Sequence, residues 1–158
     1  MKKNIHSITL NVFEKKEETI EEIRNIYHSF LPIDFQKENV QIREEKLEGL
    51  NKNIIHSLTL ETTRKRHNNL LFDTLFHHIS TQDIELILKQ IESRLNAEGH
   101  LFIRLEKKAL LQKQFFLTDG GDCFHIKIKI AGYPAKREIF IETVKSLLEP
   151  YKEKQEEK

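Results

Sequence analysis

Apolar and polar residues alternate along several short stretches of the chain. The most regular stretch is Phe124 to Ile130, where His125, Lys127 and Lys129 separate the apolar positions. Successive side chains of a β-strand point to opposite faces of a sheet, so this period predicts half-buried strands. The predicted strands are Ile5–Phe13, a segment opening with Val40 and Ile42 and running into Lys46, Ile55–Thr62, Leu101–Leu105 and Phe124–Ile130, with a candidate short strand at Phe115–Leu117.

Other stretches place apolar residues at the spacing of an amphipathic helix, with charged residues between them. The first such helix stops near Pro32, and Ser80 with Asp83 forms an N-cap pattern before the third. The predicted helices carry Ile20 to Leu31, Leu70 to Ile79, Ile84 to Leu95 and Ile139 to Tyr151, with a short helical connection over Lys107 to Lys113.

Together these elements predict an α+β fold, in which an antiparallel-rich mixed sheet has helices packed on one face. Each strand has one apolar face for the helices and one polar face for solvent. The length of 158 residues suits a single domain, which we expect to span residues 1–151. Residues 152–158 are then a charged, frayed tail.

The composition of the chain indicates the cellular compartment in which we expect the protein. One cysteine, Cys123, cannot form an internal disulfide, which is typical of a reducing environment. The first residues lack the apolar region of a signal peptide, and no apolar run approaches the ~18 residues of a membrane span. The sequence therefore predicts a cytoplasmic protein that does not enter a membrane.

Charge is distributed unevenly, although the formal net charge is only +1. The segment Glu14–Gly49 has 6 basic and 10 acidic residues, a net of −4, whereas His100–Arg137 has 8 basic and 3 acidic residues, a net of +5. A local excess of cations is the usual signature of a surface that binds phosphates. The second segment is thus the first candidate for a functional surface.

The candidate RNA-binding residues are the cations in acid-poor surroundings, together with one aromatic residue for stacking. Cations neutralise phosphates, and an exposed ring can stack on a base. Arg104, Lys127 and Lys129 are predicted to share the polar face of the sheet with Phe102. The full set is Arg64, Lys65, Arg66, Phe102, Arg104, Lys107, Lys108, Lys127, Lys129, Lys136 and Arg137. Each of these cations could equally be an ordinary solvated charge.

Patterns that indicate catalysis or a bound cofactor are weak. The eight histidines include no His-Glu-x-x-His motif, and no phosphate-binding Gly-Lys-Ser/Thr loop occurs. Asp119 and Asp122 flank two glycines, as in a hairpin turn, and Cys123 has no positioned base in the pattern. We therefore expect no metal, no cofactor and no enzymatic activity.

Five sequence elements then occur in a characteristic order. They are Lys46-Leu47-Glu48-Gly49, Arg104-Leu105-Glu106-Lys107-Lys108-Ala109, Gly121-Asp122, Ile126-Lys127-Ile128-Lys129 and Tyr133-Pro134-Ala135-Lys136-Arg137-Glu138. In this the chain resembles the archaeal family described as an RNA-binding domain and predicted exosome subunit. It departs from that family at Ala135, where glycine is common, and at Asn51 to Ile54, where Gly-Asn-Pro is common. The resemblance implies a fold similar to a large-subunit ribosomal protein that contacts ribosomal RNA.

The leading hypothesis is a non-catalytic protein that binds structured or single-stranded RNA and is linked to RNA processing or degradation, with exosome subunits as partners. A second hypothesis is a protein-interaction module or homodimeric adaptor without RNA contact, which docks through the acidic helix (Glu14 to Arg24) or a sheet edge. A third is a small metal-dependent nuclease that uses Asp119 and Asp122.

Overall fold

The computed structural model describes residues 4–153. Within this range the strands are β1 (Ile5–Glu14), β2 (Ile42–Glu48), β3 (Ile54–Thr62), β4 (His100–Glu106) and β5 (Cys123–Ile130). The α-helices are α1 (Glu17–Phe30), α2 (Lys65–His78), α3 (Thr81–Lys89), α4 (Ile91–Arg94), α5 (Lys107–Leu111) and α6 (Arg137–Lys152). A 3-10 turn, Leu50–Lys52, joins β2 to β3.

The strands form one sheet in the order β2-β3-β1-β5-β4, and every neighbouring pair is antiparallel. The first strand of the chain is therefore the centre of the sheet. Leu10 illustrates the register, because it lies opposite Leu60 of β3 and Ile126 of β5. These three side chains point to the same face and are buried, so the face is apolar across the three central strands.

The helices cover that apolar face and form one hydrophobic core with it. Tyr27 of α1 is fully buried, and its ring packs edge-on against Phe124 of β5, with ring centroids 6.0 Å apart. Its hydroxyl donates a hydrogen bond of 3.0 Å to the backbone oxygen of Leu58, so the polar end of this core residue is satisfied. The predicted α+β class, with helices on one face of an antiparallel sheet, is confirmed.

Two local predictions differ from the structure. The single helix predicted over Ile84 to Leu95 is divided at Gln90, which leaves helical geometry with φ −100° and ψ 17°. The carbonyl of Gln90 accepts hydrogen bonds from the backbone N–H groups of Ser93 and Arg94, at 3.0 and 3.1 Å, and this restarts a short helix. The segment predicted as a strand at Phe115–Leu117 makes a single bridge to β4, through Leu105 and Leu117.

The C-terminal helix extends further than the sequence predicts. Lys152 is its last residue and Glu153 caps it, whereas the rest of the predicted tail, residues 154–158, lies outside the described residues. Among the described helices, none is long and apolar enough to cross a membrane.

Candidate nucleic-acid interface

The face of the sheet opposite the helices, which we call the open face, carries the residues that alternate with the core. Leu10, Ile126 and Ile103 point into the core, so their chain neighbours point outward. The outward residues of the four strands β3, β1, β5 and β4 are mostly polar, cationic or aromatic. They include Ser57, Thr59, Ser7, Thr9, Asn11, Phe13, His125, Lys127, Lys129, His100, Phe102 and Arg104.

Lys127 lies at the centre of the cationic half of the open face. It is directly opposite Thr9 on β1 and Phe102 on β4. Its side chain is exposed, and its ammonium group makes no hydrogen bond or ion pair with another described residue. An unpaired, solvated cation of this kind is available to a phosphate.

Two further cations flank Lys127. Arg104 is exposed and donates one long hydrogen bond, 3.3 Å, to the backbone oxygen of Asp119, which leaves most of its guanidinium free. Lys129 faces the same side of β5 and is bonded to the backbone oxygen of Glu98. The sheet thus brings Arg104, Lys127 and Lys129 together, as predicted from the alternation.

Aromatic rings lie among these cations. Phe102 is 43% exposed beside Lys127, although strands usually bury rings of this size. Its centroid is 6.2 Å from that of His100. On the other side of Arg104, the ring of Phe13 contacts His125 edge-on, with centroids 6.5 Å apart. Exposed rings next to cations are the elements that single-stranded nucleic acids use for stacking.

The cations also act on the two histidines of the open face. Partial burial lowers the pKa of His100, and the positive charges of Lys129 and Lys127 lower it further. Burial and the charge of Arg104 likewise lower the pKa of His125. Both rings are therefore neutral at pH 7, and an anion bound nearby would favour their protonation.

The cations at the start of α2 lie away from the open face. Asn68 fixes this end of the helix, because its amide donates to the backbone oxygens of Ile5 and His6, at 3.3 and 3.1 Å. Arg64 and Lys65 are exposed there.

The third cation of that group is engaged within the protein. Arg66 is paired with Glu38, which also lies 2.7 Å from the ring of His67. The hydrogen bond with His67 and the charge of Arg66 hold the pKa of the Glu38 carboxyl below its usual value, so Glu38 stays ionised. This pairing leaves Arg66 less available to a phosphate than Arg64 or Lys65.

Lys107 is the predicted candidate most deeply embedded in the protein. It is only 8% exposed, and its ammonium lies 2.7 Å from the backbone oxygen of Phe13, 3.2 Å from Glu14 and 2.8 Å from Asp122. Burial lowers the pKa of Lys107, but the hydrogen bonds to Asp122 and Glu14 outweigh burial, and the net shift is upward. Lys108, its neighbour, is exposed.

The two cations at the start of α6 have different surroundings. Lys136, the N-cap residue, is exposed. Arg137 donates to the backbone oxygens of Leu95 and Glu92, at 2.5 and 2.6 Å, and joins α6 to the end of α4. This contact supplies a structural reason for a cation at a helix start, where the helix dipole does not favour one.

The most exposed aromatic residue of the described chain is absent from the predicted set. Tyr133 is the third residue after the end of β5 and is 97% exposed. An aromatic residue between Gly132 and Pro134, in a loop signal that ends a cationic strand, is the sequence feature that could have identified it.

The carboxylates and the thiol considered for catalysis have ordinary surroundings. Asp122 is paired with Lys107 and lies in an irregular connection that leads into β5, where the glycines predict a hairpin turn. Burial raises the pKa of the Cys123 thiol, which keeps it protonated, and its sulfur is 3.6 Å from His125. Among the described residues, no group of three or more His, Cys, Asp or Glu side chains could hold a metal ion.

The fold and the open face together define a class of protein: an antiparallel α+β domain whose sheet has a cationic, partly aromatic face in solvent. Within that class, the chain belongs to the protein family described as RNA binding, whose model matches residues 7–130. The match starts at the third residue of β1 and ends at the last residue of β5, so it contains β2 to β5, most of β1 and the cationic half of the open face.

Individual relatives agree with this placement. The chain is 22% identical over 144 residues to the RNA-binding protein PAB1135 of Pyrococcus abyssi, covering 91% of this chain and 94% of that protein. Among solved structures, it is similar to Mth689, a DUF54 protein from Methanothermobacter thermautotrophicus, with 26% identity, a TM-score of 0.72 and coverage of 92% and 98%. It is also similar to AF2318 from Archaeoglobus fulgidus, with 25% identity, a TM-score of 0.76 and coverage of 90% and 99%.

Proposed function

We propose that this chain is a non-catalytic RNA-binding protein that holds RNA on the open face of its sheet. The observation that carries the proposal is the position of Lys127, an unpaired and exposed cation directly beside the exposed ring of Phe102. Family membership and the name of the Pyrococcus relative support the same ligand.

In this mode of binding, each group on the open face has a separate task. Lys127, Arg104 and Lys129 neutralise phosphates, and Phe102 stacks on a base. The amide nitrogen of Asn11 donates to the hydroxyls of Ser57 and Thr59, at 2.9 and 2.7 Å. The carbonyl oxygen of Asn11 is then oriented to accept a hydrogen bond from a ribose hydroxyl, a group that DNA lacks.

The test is a salt titration of RNA affinity for the wild type and for Lys127→Gln. If three cations contact a single strand, log affinity should fall with log salt at a slope of about −2, and loss of Lys127 should reduce that slope by about 0.7. Lys145→Gln is the matched control, because Lys145 is an exposed lysine of α6. A wild-type affinity that does not change with salt would refute binding through the open face.

Replacing the ring tests the second element of the proposal. Phe102→Leu keeps an apolar side chain but removes the stacking surface, and we expect affinity to fall by roughly 5- to 150-fold, the equivalent of about 1–3 kcal/mol per stacked base. Fluorescence anisotropy with labelled RNA measures it, with circular dichroism as the check on folding. Unchanged affinity in this variant would mean that Phe102 does not contact a base.

We further propose that the protein acts in the cytoplasm in RNA processing or degradation, with exosome subunits as its partners. The order of motifs from Lys46 to Glu138 supports this role through the family resemblance. The test is purification of the protein from its own cells with and without nuclease. Exosome subunits should co-purify, and their absence under both conditions would contradict the link.

A second candidate function rests on the edge of the sheet formed by β2. β2 pairs with β3 on one side only, and the hairpin between them exposes Leu47, Leu50 and Ile54. An unpaired strand edge next to apolar side chains can add a strand from another protein or from a second copy of this chain. Partners that remain bound after nuclease treatment, in a protein with no affinity for RNA, would favour this adaptor function.

A further inference from the structure

A second exposed ring lies beyond the open face, at the end of β5. Tyr133 is more exposed than any other large hydrophobic side chain among the described residues, at 97%. A single exposed ring needs no explanation by itself. Here, however, the ring lies just beyond β5, the strand that carries the free cation Lys127. Tyr133 comes four residues after Lys129.

We propose that Tyr133 is a second base-stacking residue, and that a single-stranded RNA runs along β5 from Phe102 to Tyr133. This inference rests on the proposed function, since it extends the same surface. Lys127 is opposite Phe102, and Tyr133 lies six positions further along the chain. A chain of six residues spans at most about 22 Å, a distance that several nucleotides can cover.

Two surface depressions connect the sheet to Tyr133. The first, about 350 Å³ in volume, is lined by Lys129, Glu98 and His6 among others. The second, about 410 Å³, is lined by His6 and Tyr133 among others. His6 and Gly132 line both, so the two depressions are neighbours. Together they border the surface between Lys129 and Tyr133.

The cations along this path fit a backbone between the two rings. Lys127 and Lys129 lie under its first part, and Lys136 is exposed three residues beyond Tyr133. Glu98 also borders the path: its backbone oxygen holds Lys129, and its carboxylate adds one negative charge beside the lysines. Phosphates therefore meet a cation near each end of the path, and the rings at its two ends are free to stack.

The rings select the class of RNA. In a duplex, bases stack on one another and the protein meets phosphates and ribose hydroxyls, so exposed rings contribute little. In a single strand, each base has a free face, and stacking on an aromatic side chain is worth enough to change affinity about 5- to 150-fold. Two rings separated by cations thus favour unpaired RNA.

The experiment measures affinity for oligouridylates of increasing length, with wild type, Tyr133→Ala, Tyr133→Phe and Phe102→Leu. Affinity should rise with length until the RNA reaches both rings. Tyr133→Ala should lower affinity about 5- to 150-fold for oligomers that reach both rings, and should leave unchanged the affinity for those that reach only Phe102. Tyr133→Phe retains the ring and should bind like wild type.

The outcomes separate this inference from the proposed function. If Lys127→Gln and Phe102→Leu weaken binding but Tyr133→Ala has no effect at any length, the inference is overturned and the open face remains the RNA site. Equal or tighter binding of a matched RNA duplex overturns the inference as well. If wild type binds no RNA, or if Lys127→Gln has no effect on affinity or salt dependence, the proposed function itself fails.

Discussion

Substitution of Lys107 tests most directly whether a predicted RNA-binding cation has a structural role instead. We predict that Lys107→Met destabilises the fold and leaves RNA affinity unchanged. Methionine keeps the length of the side chain but removes the ammonium that bonds to the backbone oxygen of Phe13, to Glu14 and to Asp122. The variant therefore tests one polar contact with little change in packing.

The free energy of unfolding lost in Lys107→Met depends on how exposed each partner of the ammonium is. The Asp122 side chain is 66% exposed, so the ion pair between Lys107 and Asp122 contributes at most about 1 kcal/mol. The Glu14 side chain is 12% exposed, and removal of one partner from a buried ion pair costs about 3–5 kcal/mol. Glu14 keeps hydrogen bonds from the backbone N–H groups of Lys15 and Lys16, at 2.9 and 3.2 Å. We therefore expect a loss of about 3 kcal/mol.

The loss of stability caused by Lys107→Met should become smaller at low pH. Burial raises the pKa of Glu14, but the hydrogen bonds from Lys15, Lys16 and Lys107 outweigh burial and lower the net pKa. A carboxyl whose pKa is lowered in the folded state stabilises the fold above its ordinary pKa of about 4.3, and this contribution disappears as pH falls through the folded-state value. The stability difference between wild type and variant should thus narrow below about pH 4.

Urea unfolding measures the free energy, and thermal melts should show a decrease in Tm of roughly 6–12 °C for a domain of this size. RNA affinity is measured under conditions where both proteins are folded. Lys108→Met is the control, because Lys108 is exposed and adjacent. Stability equal to wild type, together with a loss of RNA affinity like that of Lys127→Gln, would refute a purely structural role for Lys107.

Two further predictions concern the fold and the pH response. Gly99 has φ +89°, and an added Cβ would lie 2.8 Å from the ring of Phe140, so Gly99→Ala should lower the free energy of unfolding by about 2–4 kcal/mol, measured with urea. Gly121→Ala, where an added Cβ meets nothing within 4 Å, should change it little, and equal effects would contradict the steric argument. Since burial and the lysines of β5 lower the pKa of His100, a bound phosphate should raise it, and RNA affinity should increase as pH falls below about 6.5. His100→Gln should flatten this pH profile, and a flat wild-type profile would refute the coupling.

The alternation of polar and apolar residues is sufficient to predict the open face. A sheet with one buried face has the same two-residue period in every strand. The spacing of their neighbours alone predicts that Lys127 and Lys129 share one face, and the structure confirms that placement. Phe102 and Arg104 follow from the same rule on β4. That β4 lies beside β5, however, is a matter of topology, which periodicity does not contain.

The roles of individual cations were harder to predict, because they depend on partners far away in the chain. Lys107 and its partner Glu14 are 93 positions apart, and Arg137 and Glu92 are 45 apart. No local pattern distinguishes such a paired cation from a free one. The division of α3 from α4 at Gln90 was not predictable either, because the local sequence has no Gly or Pro there.

The central position of β1 has a consequence for how the protein is made. β1 is synthesised first, and β3 can pair with it once about the first 62 residues exist. Its other edge is filled by β5, which is complete only at Ile130. The nascent chain therefore carries β1 with one unpaired edge while the residues between β3 and the end of β5 are made, and that edge can pair with other chains until β5 arrives.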